Sequence, residues 1–214
     1  MSVIKDGLDL PMDKTGKIEI PNCKRRQLPI FFKEMGFKVG VEIGVYKGEF
    51  TQYLVKEGAK IYGVDPWLEY ADYNYGNSED AYLQPRQDVI YGEAIKRLAP
   101  YSNCEIIRKT SMEALEDFKD NSLDFVYIDG HHGFKYVAED IYWWSKKVKS
   151  GGVISGHDYS IKRNKSGRNI LQVMFVVDAY VKAFRIEKFY VLGRNRLIKG
   201  EIRDKNRSWM WINP

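Results

Sequence analysis

Five short apolar segments, each bounded by turn residues, recur along the first three quarters of the chain. They are rich in β-branched and aromatic residues, a composition typical of strands buried on both faces of a mostly parallel sheet. The predicted strands span residues 38–45, 60–65, 104–110, 123–129 and 151–158.

Helical periodicity fills several of the gaps between these strands. Apolar residues recur at helical spacing over residues 28–35, before the first strand, and over 134–144, between the fourth and fifth strands. Thr110, followed three residues later by Glu113, predicts a capping box that opens a short helix ending at Phe118. This alternation predicts a doubly wound α/β sheet, Rossmann-like in topology.

The last quarter of the chain follows a different pattern. The pattern over residues 170–184 predicts one more helix. The segments 187–193 and 208–213 are joined by a connection too short for a crossover helix, so they predict an antiparallel ribbon. This ribbon is expected at one edge of a sheet of about seven strands. Residues 1–37 are expected to form an N-terminal segment with one helix packed on the core, ahead of a domain over 38–214.

One long irregular stretch interrupts the pattern after the second predicted strand. Residues 69–87 are rich in tyrosine and contain Gly76 and Pro85. A loop of that length in a compact domain is often a lid or a binding loop, and a poorly ordered surface insert is the alternative.

Composition narrows the class of protein. A chain of 214 residues with 44% hydrophobic content can bury one substantial core, which predicts a single globular domain. The N-terminus has no apolar run typical of a secretory signal, and the most apolar segment is too short to span a bilayer. Cys23 and Cys104 form neither a disulfide framework nor a metal cluster. These features predict a reduced, cytoplasmic protein without a membrane partner.

The net charge of +5 is unevenly distributed. Residues 160–214 carry thirteen Lys/Arg against four Asp/Glu, a surplus of nine, so the remainder carries −4. Such asymmetry indicates either a solvated basic face or a basic wall that attracts an anionic partner. The candidate residues for the wall are Lys162, Arg163, Lys165 and Arg168.

Residues able to do chemistry gather at the carboxyl ends of the predicted strands, where open α/β sheets bind their ligands. All three histidines of the chain lie among them. These ends are residues 42–44, 65–67, 110–112, 129–132 and 157–158.

The loop after the first of these strands resembles a dinucleotide-binding turn with one change. Tyr46 stands where the middle glycine of that turn would let a pyrophosphate approach the backbone. Asp65 follows Gly44 by 21 residues, a position from which an acid accepts hydrogen bonds from ribose hydroxyls. The pattern favours a nucleoside ligand without phosphates, and S-adenosylmethionine fits; an ordinary strand–helix turn is the alternative.

Three stretches together resemble the class I S-adenosylmethionine-dependent methyltransferases, and most closely the group that includes macrocin O-methyltransferase and cephalosporin hydroxylase-like proteins (methyltransferase family 24). The stretches are residues 41–54, 61–67 and 122–159, within a resemblance that extends over 21–211. The most specific part combines Asp129, Gly130, His132, Phe134 and Asp140 with a later His157, Asp158 and Tyr159; the family usually has tyrosine at the position of Phe134.

The resemblance implies a cofactor site and a metal site. For S-adenosylmethionine it implies Glu42, Gly44, Tyr46 and Gly48 on the methionine and ribose side, Asp65 at the ribose, Ser111 and Met112 at the adenine, and Asp129 at the reacting centre. For a divalent cation such as Mg²⁺ it implies Asp129, His157 and Asp158. Magnesium prefers oxygen ligands, whereas imidazole suits transition metals.

Methyl transfer to a hydroxyl also needs a group that takes the proton, and the resemblance implies that Asp129 faces the centre where this happens. His132 is the first choice for this base because imidazole titrates near neutral pH, and His157 is the second.

Three functions follow from these features. The favoured one is an O-methyltransferase acting on a small-molecule hydroxyl such as a sugar or nucleotide-linked sugar, with an anionic acceptor suggested by the basic wall. The second is an RNA methyltransferase or RNA-binding protein that uses the basic C-terminal third, but no nucleic-acid-binding motif supports it. The third is a non-catalytic member of the same fold. The tyrosine-rich stretch and the C-terminal ribbon are candidate contact surfaces for a homo-oligomer.

Overall fold

The computed structural model describes residues 2–14, 16–69, 83–164, 166–167 and 169–214. Its centre is an eight-stranded sheet in the order β1-β7-β8-β6-β5-β2-β3-β4. The strands are β1 Lys17–Ile20, β2 Val39–Ile43, β3 Lys60–Val64, β4 Cys104–Ile107, β5 Leu123–Ile128, β6 Val148–Tyr159, β7 Phe189–Leu192 and β8 Arg207–Ile212.

Helices cover both faces of this sheet. They are α1 Val3–Gly7, α2 Leu28–Glu34, α3 Glu49–Lys56, α4 Gln84–Leu98, α5 Ser111–Ala114, α6 Phe134–Lys147 and α7 Val173–Ala183, with 3₁₀ turns at Arg25–Gln27 and Leu115–Asp117. The predicted capping box is present: the Thr110 hydroxyl accepts from the Glu113 amide, and the Glu113 carboxylate accepts from the Thr110 amide.

The sheet is mostly parallel, as predicted. Among the described residues, β8 runs antiparallel to both of its neighbours, β6 and β7, and the other pairings are parallel. The predicted antiparallel ribbon is therefore real, but it does not lie at the edge, because β1 pairs outside β7 and adds an eighth strand.

The N-terminal segment is richer than the single predicted helix: it contains α1, β1 and α2. Strand β1 escapes prediction because only Ile18 and Ile20 are buried in a run of four residues, which is too short for a clear period of two. The boundary between residues 37 and 38 stays a prediction.

Two apolar layers hold the helices on the sheet, because side chains on successive strand residues point to opposite faces. One face of β5 and β6 packs Val126 and Ile154 with Trp144 of α6. On the other face, the Phe125 ring stacks on Phe32 of α2 with 4.0 Å between ring centres. The strands are thus buried on both sides, which explains their continuous apolar sequence.

Three sequence-based expectations concern the surroundings of this core. Most of the predicted lid or insert, residues 69–87, lies outside the described residues, and its last four residues form the first turn of α4. In the described part of the chain, every helix is too short or too polar to cross a membrane. Both cysteines are free.

Candidate functional site

The loop between β2 and α3 lies directly against the turn that follows β5. Gly44 has φ +89°, and a Cβ atom there would lie 2.2 Å from the backbone oxygen of Asp129. Only glycine combines this conformation with this close an approach. Gly48, with φ +74°, begins α3, while Tyr46, at φ +52°, leaves its side chain 57% exposed.

Asp65, directly after β3, holds this loop in place. Its carboxylate accepts hydrogen bonds from the Tyr46 amide at 2.9 Å and the Trp67 amide at 2.8 Å, and the Trp67 indole donates to the Tyr46 carbonyl at 2.9 Å. Burial raises the pKa of Asp65, although these amide bonds favour its charged form. Each carboxylate oxygen has two lone pairs, so Asp65 retains capacity for ligand hydroxyls.

A cavity of about 500 Å³ opens beyond the carboxyl ends of β2, β3, β4 and β5. This volume suits a ligand of nucleoside size. Six of the predicted cofactor residues line it: Gly44, Tyr46, Asp65, Ser111, Met112 and Asp129. Glu42 and Gly48 do not line it. Glu42 is 1% exposed beneath the loop, where burial raises its pKa to about 8.

Helix α6 and the turn before it supply a part of the cavity wall that was not predicted to bind the cofactor. His131 and Tyr136 line it with their rings 3.9 Å apart, and Asp140 lies one turn further on. The Ser111 hydroxyl donates to Asp140 and accepts from the Trp144 indole at 2.7 Å. Asp140 belongs to the family motif, and the spacing of four residues between Tyr136 and Asp140 on one helix face is the signal that could have placed both at the cavity.

Asp140 predicts a measurable pH dependence of stability. Burial raises its pKa from 3.8 to about 7, against the hydrogen bond from Ser111. The native state therefore binds this proton more tightly than the unfolded state, and its stability is lost as the pH rises from about 4 to above 7. Each tenfold difference in proton affinity is worth about 1.4 kcal/mol, so the ionised group costs up to roughly 4 kcal/mol at pH 8.

In urea unfolding, Asp140→Asn is expected to lose less stability than wild type between pH 5 and pH 8, because asparagine does not ionise. Asp120→Asn, at an exposed acid paired with Lys147, is the control and should follow the wild-type curve. Parallel curves for Asp140→Asn and wild type would contradict the assignment.

Beside the cavity, the turn after β5 and the last residues of β6 bring four residues together into a carboxylate–imidazole cluster: Asp129, His132, His157 and Asp158. His132 Nε2 lies 2.6 Å from Asp158 Oδ2 and 3.7 Å from Asp129 Oδ1. His157 Nδ1 lies 3.7 Å from Asp129 Oδ1 and 3.6 Å from Asp158 Oδ2. All the predicted catalytic residues therefore converge, and Asp129 belongs to both the cluster and the cavity.

The charges of this cluster depend on one another. Burial would lower the pKa of His132, but hydrogen bonds with Asp129 and Asp158 and the charges of both carboxylates raise it to about 9. Burial would likewise lower the pKa of His157, yet the charge of Asp129 and the contact with Asp158 raise it. Burial would raise the pKa of Asp158, but its bonds with the two imidazoles hold it well below the ordinary value.

Two further residues touch the cluster and were not predicted. Arg25 Nη1 lies 3.1 Å from Asp129 Oδ2, and the Asn206 amide donates to Asp158 Oδ1. Arg25 belongs to the N-terminal segment, and Asn206 immediately precedes β8. Neither directly follows the carboxyl end of a predicted strand, so the pattern of strand ends does not reveal them.

The cluster contains a donor set for a divalent cation. Ligand atoms of Asp129, His132 and Asp158 all lie within 4.8 Å of one another. The predicted set had His157 in place of His132, and the observed grouping exchanges the two imidazoles. Two carboxylates and one imidazole suit transition metals as well as Mg²⁺. The buried His157 Nε2 has no hydrogen-bond partner among the described residues, so a polar ligand group at that position would be favoured.

The predicted basic wall is only partly described, because Lys165 and Arg168 lie outside the described residues. Arg163 Nε donates to Asn169 Oδ1 at 3.1 Å across an isolated β-bridge between the two residues. This contact pairs Arg163 with a nearby residue of the same segment, and the role of the basic wall toward a partner stays a prediction.

Residues 41–159, more than half of the chain, match a family model described as a methyltransferase domain, that of methyltransferase family 24. A curated relative, the uncharacterized protein y4gI of Sinorhizobium fredii, is 34% identical over 62 residues. That match covers 29% of this chain and 7% of the relative, so it spans less than a tenth of the relative's length.

Several solved methyltransferase structures share this fold. An O-methyltransferase from Bacillus cereus in complex with SAH has a TM-score of 0.57 at 15% identity, covering 98% of this chain and 86% of its own. TomG from Streptomyces achromogenes, an O-methyltransferase in complex with SAM, has a TM-score of 0.57 at 13% identity. The match covers 88% of this chain and 79% of TomG. An rRNA methylase from Streptococcus thermophilus has a TM-score of 0.57 at 15% identity. The match covers 87% of this chain and 93% of the methylase. At these identities the likeness concerns the fold alone.

Proposed function

Because the chain belongs to methyltransferase family 24 of the class I S-adenosylmethionine-dependent methyltransferases, we propose that it transfers the methyl group of S-adenosylmethionine to a hydroxyl oxygen of a small molecule, such as a sugar or a nucleotide-linked sugar. The observation that carries the proposal is the position of Asp129. It lines the cavity of nucleoside size and also belongs to the carboxylate–imidazole cluster. A methyl donor and a group that handles the acceptor proton would therefore meet at one residue.

The cavity residues suit the cofactor in chemical detail. S-adenosylmethionine supplies a methyl group on a positively charged sulfur, and an acceptor oxygen displaces that sulfur in line, forming the O–CH₃ bond as the S–CH₃ bond breaks. Asp65 faces the cavity with lone pairs for the ribose hydroxyls, while Ser111 and Met112 line the part assigned to adenine. The exposed Tyr46 obstructs no contact, since this ligand carries no pyrophosphate.

In this proposal the cluster removes the proton from the acceptor hydroxyl. His132 takes it in the proposed step, with Asp158 orienting the imidazole from 2.6 Å and His157 as the second imidazole. With a pKa raised to about 9, His132 is protonated near neutral pH in the ligand-free protein. It acts as a base only in molecules whose imidazole has first lost that proton to solvent, a fraction that grows as the pH rises toward about 9. The alternative is a divalent cation held by Asp129, His132 and Asp158, which would lower the pKa of the acceptor hydroxyl; His132 would then be a ligand of the cation and His157 the base.

Calorimetric titration tests the cofactor assignment directly. We expect S-adenosylmethionine to bind the wild type and NAD not to bind. Asp65→Asn should weaken S-adenosylmethionine binding by about 10–100-fold, because hydrogen bonds to a charged group are worth roughly 1.5–3 kcal/mol. The exposed Asp120→Asn variant should match wild type. Binding of NAD in place of S-adenosylmethionine would overturn the proposal.

A cytoplasmic location and a homo-oligomeric state stay predictions of the sequence. The cofactor result decides whether an acceptor screen is worthwhile. That screen would compare hydroxylated small molecules with and without added Mg²⁺, measured as release of S-adenosylhomocysteine.

A further inference from the structure

Two segments far apart in sequence form a wall beside the carboxylate–imidazole cluster. They are residues 22–25 and 202–206, named here the acceptor-side wall. The Ile202 amide donates to Asn22 Oδ1 at 3.2 Å, and the Arg25 amide donates to Asp204 Oδ2 at 2.6 Å. Asn206 reaches Asp158 from the same wall. The wall is therefore tied together by its own hydrogen bonds and attached to the cluster.

The eighth strand explains how the wall reaches the site. Because β1 is parallel to β7, its carboxyl end at Ile20 lies at the same edge of the sheet as the ends of the other parallel strands. The chain leaves β1 there and enters the 3₁₀ turn that begins with Arg25. The unpredicted edge strand β1 thus places a permanent positive charge beside the proposed reacting centre.

Arg25 is held in a defined position but is not fully buried from solvent. Its Nη1 lies 3.1 Å from Asp129 Oδ2, and its guanidinium carbon lies 5.3 Å from the centre of the Phe50 ring. The side chain is nevertheless 31% exposed. A guanidinium offers five N–H donors in a planar fork; Asp129 and the Tyr127 hydroxyl engage part of the Arg25 fork, and the side chain stays partly open to solvent.

A structural ion pair is the simplest alternative role for Arg25. Pairs with this much solvent contact contribute little to stability, so stability alone gives a weak reason to place arginine beside Asp129. Planar, two-pronged recognition of phosphate or carboxylate is the task for which arginine is best suited. A group bound by Arg25 would lie next to the atoms that Asp129 faces.

We propose that Arg25 binds an oxyanion carried by the acceptor, a phosphate or a carboxylate close to the hydroxyl that is methylated. This inference rests on the proposed methyltransferase function and names the class of acceptor. Arg25 is a binding residue in this scheme. It positions the acceptor relative to the carboxylate–imidazole cluster and selects anionic acceptors over neutral ones.

The test uses the full chain saturated with S-adenosylhomocysteine, titrated separately with inorganic phosphate and with acetate. We expect at least one anion to bind the wild type, and Arg25→Gln to weaken it by about tenfold or more. Arg25→Lys should give an intermediate result, because the charge remains while the fork is lost. Arg26→Gln is the matched control: it removes the same charge one residue away, where the guanidinium carbon lies 4.5 Å from the centre of the Tyr53 ring.

The outcomes separate the two proposals. Binding of phosphate that depends on Arg25 supports a phosphorylated acceptor, and binding of acetate supports a carboxylate acceptor. Equal affinities in wild type and Arg25→Gln, or an equal loss in Arg26→Gln, overturn the inference while intact binding of S-adenosylhomocysteine preserves the proposed function. Failure of the wild type to bind S-adenosylhomocysteine overturns both.

Discussion

Replacing Asp158 with asparagine is expected to slow methyl transfer by about 10²–10⁴-fold, the range typical of losing a positioned acid–base group. The carboxylate lies 2.6 Å from His132 Nε2, whereas asparagine retains the shape without the charge that holds the imidazole. Cofactor affinity should change by less than about threefold, because Asp158 does not line the cavity and the loss belongs to the chemical step. The measurements are kcat with the acceptor found in the screen and calorimetric affinity for S-adenosylmethionine.

Two further variants make this result specific. His132→Gln should cause a loss of similar size, and the double variant should be little worse than either single one if the two residues act as a unit. The exposed Asp120→Asn variant should retain wild-type kcat. Wild-type turnover in both Asp158→Asn and His132→Gln would remove the cluster from the mechanism.

Much of the site is predictable from the sequence because three parallel strands end in the same way. Ile43, Val64 and Ile128 are the last strand residues, and Gly44, Asp65 and Asp129 follow them directly. Parallel pairing brings the carboxyl ends of the strands to one edge of the sheet, so residues just past each strand lie close together in space. The convergence of both histidines with Asp129 and Asp158 follows from the same geometry.

The residues that were missed reach that edge by other routes. Asn206 stands at the amino end of β8, and in an antiparallel strand the amino end meets the carboxyl ends of the parallel strands. Arg25 depends on β1, whose four residues carry too little pattern to predict pairing with β7. Their contacts depend on tertiary pairing between the two ends of the chain, which no local period in the sequence specifies.

Gly44→Ala is expected to be the most disruptive single change at the cofactor site. The new Cβ atom would lie 2.2 Å from the Asp129 backbone oxygen and 2.6 Å from the Gly130 Cα, and backbone atoms cannot move aside as a flexible side chain can. The β2–α3 loop would have to separate from the turn after β5. Overpacking against backbone together with a strained φ should cost more than about 3 kcal/mol and weaken S-adenosylmethionine binding by about 100-fold or more.

Gly58→Ala separates the two causes of that cost. Gly58 also has a positive φ, +98°, but a Cβ atom there would meet nothing within 4 Å. Its substitution should cost only the roughly 1–2 kcal/mol of the left-handed conformation and leave cofactor affinity unchanged. Urea unfolding and calorimetry on the two variants therefore measure the contact between the loop and Asp129 as a difference. Equal stability and equal cofactor binding in both would mean that the loop does not need to touch Asp129, and the proposed junction of cavity and cluster would lose its structural basis.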